Sequence, residues 1–188
     1  MFRGMSKLAS LDLSGNTYTT TVPPEMASLP SLQALAFTNS TFLVQQDFSF
    51  LAQMASLGAF WMDGAVTPSY RPLPTDIGLW SPSLHVLSLS RSMISGTIPT
   101  EVGNLSSLGF LSLRGNNMTG PIPSEVGRLS GLWSLYLHDN DLLTGTVPQD
   151  VCRLSLNGSL TYFSTGCSVL CGCCTCCGPP CAVFALFP

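Results

Sequence analysis

The chain has 188 residues, 45% of them hydrophobic, enough for one core of ordinary domain size. Only 9% of residues are charged, the net charge is −3, and no basic cluster exists, which excludes a nucleic-acid-binding surface. No apolar run reaches the roughly 18 residues of a membrane-spanning helix, and Ala182 to Phe187 is far too short to be one.

Arg3 and Lys7 are followed at once by patterned sequence, without the apolar stretch and small-residue cleavage site of a secretory signal. The pattern begins with Leu8-x-x-Leu11-x-Leu13-x-x-Asn16, reaches Val22-Pro23 and returns at Leu32, 24 residues on. The second unit has Leu35 and Phe37, with Ser40 where Asn is expected. The third starts at Leu57 with Phe60 and Met62, has Ala65 at the Asn position, and runs 27 residues. Its Leu73-Pro74 and Gly78 still fit. Leu84, Leu108 and Leu132 then open three units spaced by 24 residues. Leu84-x-x-Leu87-x-Leu89 leads to Gly96-x-Ile98-Pro99 and Gly103-x-Leu105. Leu108-x-x-Leu111-x-Leu113-x-x-Asn116 leads to Gly120-x-Ile122-Pro123 and Gly127-x-Leu129. Leu132-x-x-Leu135-x-Leu137-x-x-Asn140 leads to Gly145-x-Val147-Pro148. Six repeats result.

Each position has a physical reason. Leu11 and Leu13 alternate as on a strand and point inward together. The Asn leaves the strand, and its amide can bond the backbone of a tight turn. Stacked Asn side chains then form a ladder inside the coil. Gly96 and Gly120 allow turn dihedrals that a Cβ forbids. The Pro after Ile belongs on the convex side, where a lost N–H is tolerable. One unit cannot bury its leucines alone, so stacking makes the core.

These motifs resemble the leucine-rich-repeat family, in its 24-residue plant-type class, over residues 5 to about 155. The resemblance implies an α/β-type repeat solenoid: a right-handed superhelix with short parallel strands on its concave face. It divides the chain into repeats at 1–155 and a Cys-rich cap or tail at 156–188. No amphipathic, Cys-bearing cap precedes Leu8, so the N-terminus is expected to be incomplete.

All eight cysteines lie in the last 37 residues: Cys152, Cys167, Cys171, Cys173, Cys174, Cys176, Cys177 and Cys181. A solenoid end must be capped. Cys152 closes the last repeat, and Leu156, Leu160 and Tyr162 look like a degraded final turn. An even count in one framework favours disulfides, and the tail resembles the Cys-dense caps of secreted algal (diatom) repeat proteins. Cys174-x-x-Cys177 and Cys173-x-x-Cys176 also have zinc-like spacing, but they overlap and no separate second pair with a His follows. An undefined tail is the third alternative. No metal is expected. Four sequons, at Asn39, Asn104, Asn117 and Asn157, point to an extracellular or cell-surface location.

Catalysis finds no support. There is no G-x-S-x-G, H-E-x-x-H, P-loop or kinase signature, no cofactor motif, and the two histidines are His85 and His138. Binding has more. The outward middle positions of the six strands read Asp12, Ala36, Trp61, Ser88, Ser112 and Tyr136. Two residues earlier lie Ser10, Ala34, Ala59, Val86, Phe110 and Ser134; two later lie Ser14, Thr38, Asp63, Ser90, Arg114 and His138. Trp61, Phe110 and Tyr136 stand out from a Ser/Ala background, with Asp63, Arg91, Arg114, His138 and Asp139 beside them. Aromatic residues and Arg dominate binding hot spots. The family resemblance implies a non-catalytic recognition module for a protein, peptide or glycan, as in receptor ectodomains and polygalacturonase-inhibiting proteins. The rival expectation is a structural or surface-active protein of the cell wall or of ice, which would need a flat, regular Thr array. The outward columns here are irregular.

Overall fold

The computed structural model describes residues 4–44, 48–166, 168–174 and 176–177, with only the backbone described at 49, 176 and 177. Each coil contributes one strand to a concave sheet, and most add a second short strand after the turn. In chain order these are Ser10–Asp12 (β1), Thr17–Tyr18 (β2), Ala34–Ala36 (β3), Thr41–Phe42 (β4), Ala59–Trp61 (β5), Arg71–Pro72 (β6) and Val86–Ser88 (β7). Ile94–Gly96 (β8), Phe110–Ser112 (β9), Asn117–Gly120 (β10), Ser134–Tyr136 (β11), Leu142–Leu143 (β12), Tyr162–Thr165 (β13) and Cys176–Cys177 (β14) follow. One parallel sheet runs β1-β3-β5-β7-β9-β11-β13-β14. A second runs β12-β10-β8-β6, and β2 pairs with β4.

The register repeats the sequence period. Leu35, Phe60, Leu87, Leu111, Leu135 and Phe163 are paired strand to strand, and all are buried. Leu11 pairs with Leu35 at the start of this column but is only half-buried, as are Leu8 and Leu13. On the opposite side, Pro23, Pro74, Pro99 and Pro123 each lead into a short 3-10 helix: Pro24–Ser28, Thr75–Leu79, Thr100–Asn104 and Ser124–Arg128. Proline fits there because the N–H it lacks has no partner at a helix start. These convex turns pack closely. A Cβ on Gly127 would lie 2.6 Å from Asp150 Cβ, so glycine is required at that approach.

The asparagine ladder forms in the last two full repeats. Asn116 Nδ2 donates to the carbonyls of Leu89 (2.7 Å) and Leu113 (2.9 Å), while its Oδ1 accepts from the N–H groups of Ser92 and Ile94, both at 3.0 Å. Asn140 repeats the arrangement one coil on. Ser40, Ala65 and Ser92 hold the equivalent positions in the middle coils. Ser92 Oγ donates to the Met62 carbonyl, whereas Ala65 has nothing to offer. An aromatic cluster of Phe37, Phe42, Phe48, Phe50, Phe60 and Trp80 fills those coils instead. Arg71, from the stretch with three extra residues, is buried there, its guanidinium 3.9 Å from the Phe48 ring centroid.

The stack continues beyond the sixth repeat. Helix Gln149–Leu156 (α1) takes the place of a 3-10 turn and buries Val151 and Leu154. The expected final turn exists, but of Leu156, Leu160 and Tyr162 only Leu160 fills it as expected. Leu160 and Phe163 enter the core, while Leu156 and Tyr162 are exposed. Tyr162 starts β13, and the alternation therefore turns Phe163 inward. Disulfides join Cys152 to Cys173 and Cys171 to Cys174. Cys167 and Cys181 lie outside the described residues, as do the side chains of Cys176 and Cys177.

Candidate functional site

Strand alternation places the outward columns on the concave sheet, and the structure sorts them into three zones. In the C-terminal half, Phe110 and Tyr136 are half-buried with ring centroids 5.6 Å apart. Trp133 joins them, 5.5 Å from Phe110 and 38% exposed. Sequence reasoning missed Trp133 because it precedes the strand and lies outside the three columns. The signal was Gly109, one repeat earlier at the same position. A Cβ there would stand 2.6 Å from Trp133 Nε1, so the glycine is what lets the indole lie down beside Phe110.

The central zone is polar and bonded to itself. Asp63 accepts from Ser88 Oγ (2.7 and 2.9 Å) and from the Ser90 N–H (2.6 Å), and Ser90 Oγ meets Ser112 Oγ at 2.7 Å. Trp61 lies at the edge of this zone, in the middle column.

The turn leaving each strand carries the remaining charges. A left-handed residue recurs there: Gly15, Asn39, Gly64, Arg91, Gly115 and Asp139. Glycine, Asn and Asp tolerate that conformation; Arg91, at φ 53°, is the outlier. Arg91 is exposed, with its stem over Gly115. Arg114 Nε donates to Asp139 Oδ2 at 3.0 Å in a partly exposed ion pair.

His138 occupies an outward column position, yet it is only 8% exposed. Its Nδ1 lies 2.6 Å from Ser164 Oγ on β13, and Tyr136 packs on it with centroids 6.1 Å apart. Burial holds its pKa below the usual histidine value; the Arg114 and Arg91 charges add to that, and Asp139 opposes them. Asp139 pairs with Arg114, and the His138 imidazole with Ser164. Ser164 is itself buried. The pair ties the last repeat to the following strand.

The four sequon asparagines, Asn39, Asn104, Asn117 and Asn157, are all exposed. Among the described residues no group of three or more His, Cys, Asp or Glu could hold a metal ion, and no helix is long and apolar enough to cross a membrane.

The sequence profile described as Leucine Rich Repeat matches residues 7–29, 83–105 and 107–129. Those segments coincide with coils of the parallel stack described above. The chain carries leucine-rich repeats and has their fold.

Solved leucine-rich-repeat structures share the fold. The ectodomain of the Arabidopsis thaliana receptor kinase GASSHO1/SCHENGEN3 is 28% identical with a TM-score of 0.66, over 80% of this chain and 17% of that one. A TDR receptor is 25% identical with a TM-score of 0.70, over 86% of this chain and 26% of that one. A Leptospira interrogans leucine-rich-repeat protein is 25% identical with a TM-score of 0.63, over 87% of this chain and 44% of that one. The chain thus spans less than half the length of each of these. No curated protein sequence matches it.

Proposed function

We propose that this leucine-rich-repeat protein is a recognition module that binds a protein or peptide ligand on its concave face, outside the cell. The observation that carries this is the row of half-buried Phe110 and Tyr136 with exposed Trp133, beside the Arg114–Asp139 pair. Rigid aromatic side chains give large contact area for little lost entropy, and partial exposure leaves that area for a partner. Trp61, Asp63, Arg91 and Arg114 extend the surface, while His138 and Asp139 hold its C-terminal end in shape. The GASSHO1/SCHENGEN3 ectodomain is solved in complex with CASPARIAN STRIP INTEGRITY FACTOR 2, which supports a protein or peptide ligand over a glycan. The two disulfides, the exposed sequons and the receptor-ectodomain likeness support an extracellular setting. In this reading residues 1–155 recognise and residues 156–188 cap.

The surface-active alternative needs a regular array of free hydroxyls. Ser88, Ser90 and Ser112 bond to one another and to Asp63, which counts against it.

Peptides selected for binding from a displayed random library test the proposal. Phe110→Ala and Tyr136→Ala should each weaken the selected peptides about fivefold or more, equivalent to ~1 kcal/mol. The convex variant Leu79→Ser should not. Binding untouched by both aromatic changes but lost in Leu79→Ser would place the site on the other face.

A further inference from the structure

The N-terminal half of the concave face has a cavity where the C-terminal half has an aromatic row. Asp12, Ala36 and Trp61 are paired in register across three adjacent strands. Parallel strands lie about 4.8 Å apart, so the Asp12 and Trp61 backbones stand roughly 10 Å from each other. The methyl groups of Ala34 and Ala36 floor the gap, at positions where later coils carry Val86, Ser88, Phe110 and Ser112. The result is an open cavity of about 490 Å³, walled by Ser10, Asp12, Ser14, Thr38 and Trp61.

Its walls carry one sign of charge and one π face. Asp12 is fully exposed to water, and hydrogen bonds from the Ser14 side chain and then from the Ser14 N–H, 2.9 Å from Oδ1, hold the carboxyl below its ordinary pKa. Asp63 follows Trp61 by two residues on the same face, and hydrogen bonds from Ser88 and Ser90 hold its carboxylate in place. The cationic side chains of this face lie further along: Arg91 beyond β7, and Arg114 held by Asp139.

We propose that this cavity binds one cationic side chain of a peptide ligand, an arginine whose guanidinium lies on the Trp61 indole and pairs with Asp12. Arginine suits the geometry better than lysine because a flat guanidinium stacks on an aromatic face and offers its edge to a carboxylate at once. The inference rests on the concave-face reading and adds a ligand class to it: peptides with a basic residue toward the N-terminal coils.

The test titrates Nα-acetyl-arginine amide into the intact, isotope-labelled chain and follows the Trp61 indole N–H by NMR, assigned with Trp61→Phe. The corresponding citrulline amide has nearly the same shape without the charge. A saturable Trp61 shift is expected with arginine and not with citrulline, and Asp12→Asn should weaken it about tenfold, as loss of a charge-assisted hydrogen bond does. Equal binding of citrulline, an unmoved Trp61, or an Asp12→Asn variant that binds as well as the parent would overturn the assignment. Selected peptides that depend on Phe110 and Tyr136, together with an unmoved Trp61, would sink this cavity alone and leave the concave-face reading standing. An arginine-dependent Trp61 shift with no role for Phe110 or Tyr136 would keep this cavity and remove the aromatic row from the proposed surface.

Discussion

Removing a rung of the asparagine ladder should cost very different amounts at the two ends of the leucine-rich-repeat stack. Asn140 is fully buried. Its Nδ2 donates to the Leu113 and Leu137 carbonyls, each at 2.9 Å, and its Oδ1 accepts the buried Met118 N–H at 3.0 Å. Each such bond is worth about 1 kcal/mol net, and a buried partner left unsatisfied adds about 1–3 kcal/mol. Asn140→Ala should therefore cost roughly 3–5 kcal/mol. Asn16 holds the same repeat position but is exposed, and donates to Leu13 and Ser14 carbonyls that water can reach. Asn16→Ala should cost about 1 kcal/mol or less. Urea denaturation followed by circular dichroism gives both numbers, provided the slope stays constant. Hydrogen exchange would show whether the Asn140 loss is local to coils five to seven. Equal costs at the two sites would refute the argument that burial, and not the hydrogen bonds themselves, sets the value of the ladder.

Leu111→Ala removes a buried side chain paired in register with Leu87 and Leu135, and calorimetry or denaturation should find a loss of about 2–5 kcal/mol. Leu11→Ala should cost less, because Leu11 is half-buried. The depressed pKa of His138 means that the unfolded chain binds its proton first. Stability should hold above the ordinary histidine value of about 6.5 and fall as pH drops through it, levelling out below the folded-state pKa. Thermal melts across that range should show the decline, and His138→Gln should flatten it. Peptide mapping without reduction should recover Cys152 joined to Cys173 and Cys171 joined to Cys174; stoichiometric zinc with free thiols at these four would contradict the disulfide cap. Hydrogen exchange should find the coils starting at Leu84, Leu108 and Leu132 better protected than the stretch from Leu43 to Pro72, where Ala65 supplies no rung.

The repeat period and the inward leucines could be read directly from the sequence, because a core column of one residue per 24 is a one-dimensional signal. The ladder was also visible as Asn116 and Asn140. What could not be read depended on contacts between coils. Ala65 announced a missing rung, but nothing said that Arg71 and six aromatic residues would fill the coils around it. His138 sits in an outward column, and only the arrival of Ser164 from a strand outside the regular period buries it. Tyr162 looked like the core residue of the last turn until the start of β13 fixed the alternation and turned Phe163 inward. Trp133 entered the site through the absence of a side chain at Gly109, which becomes a signal only once the two are known to be neighbours. The cysteine pairing likewise depends on how α1 meets the chain near 171–174.

The central claim is that the concave sheet of this leucine-rich-repeat protein is its recognition surface. Hydrogen exchange with and without a bound library-selected peptide tests it most directly. Slowed exchange is expected only on concave segments, among 10–14, 34–38, 59–63, 86–91, 110–114 and 133–139, with the 3-10 turns at Thr100–Asn104 and Ser124–Arg128 unchanged. Protection centred on those convex turns, with the concave strands unaffected, would contradict it.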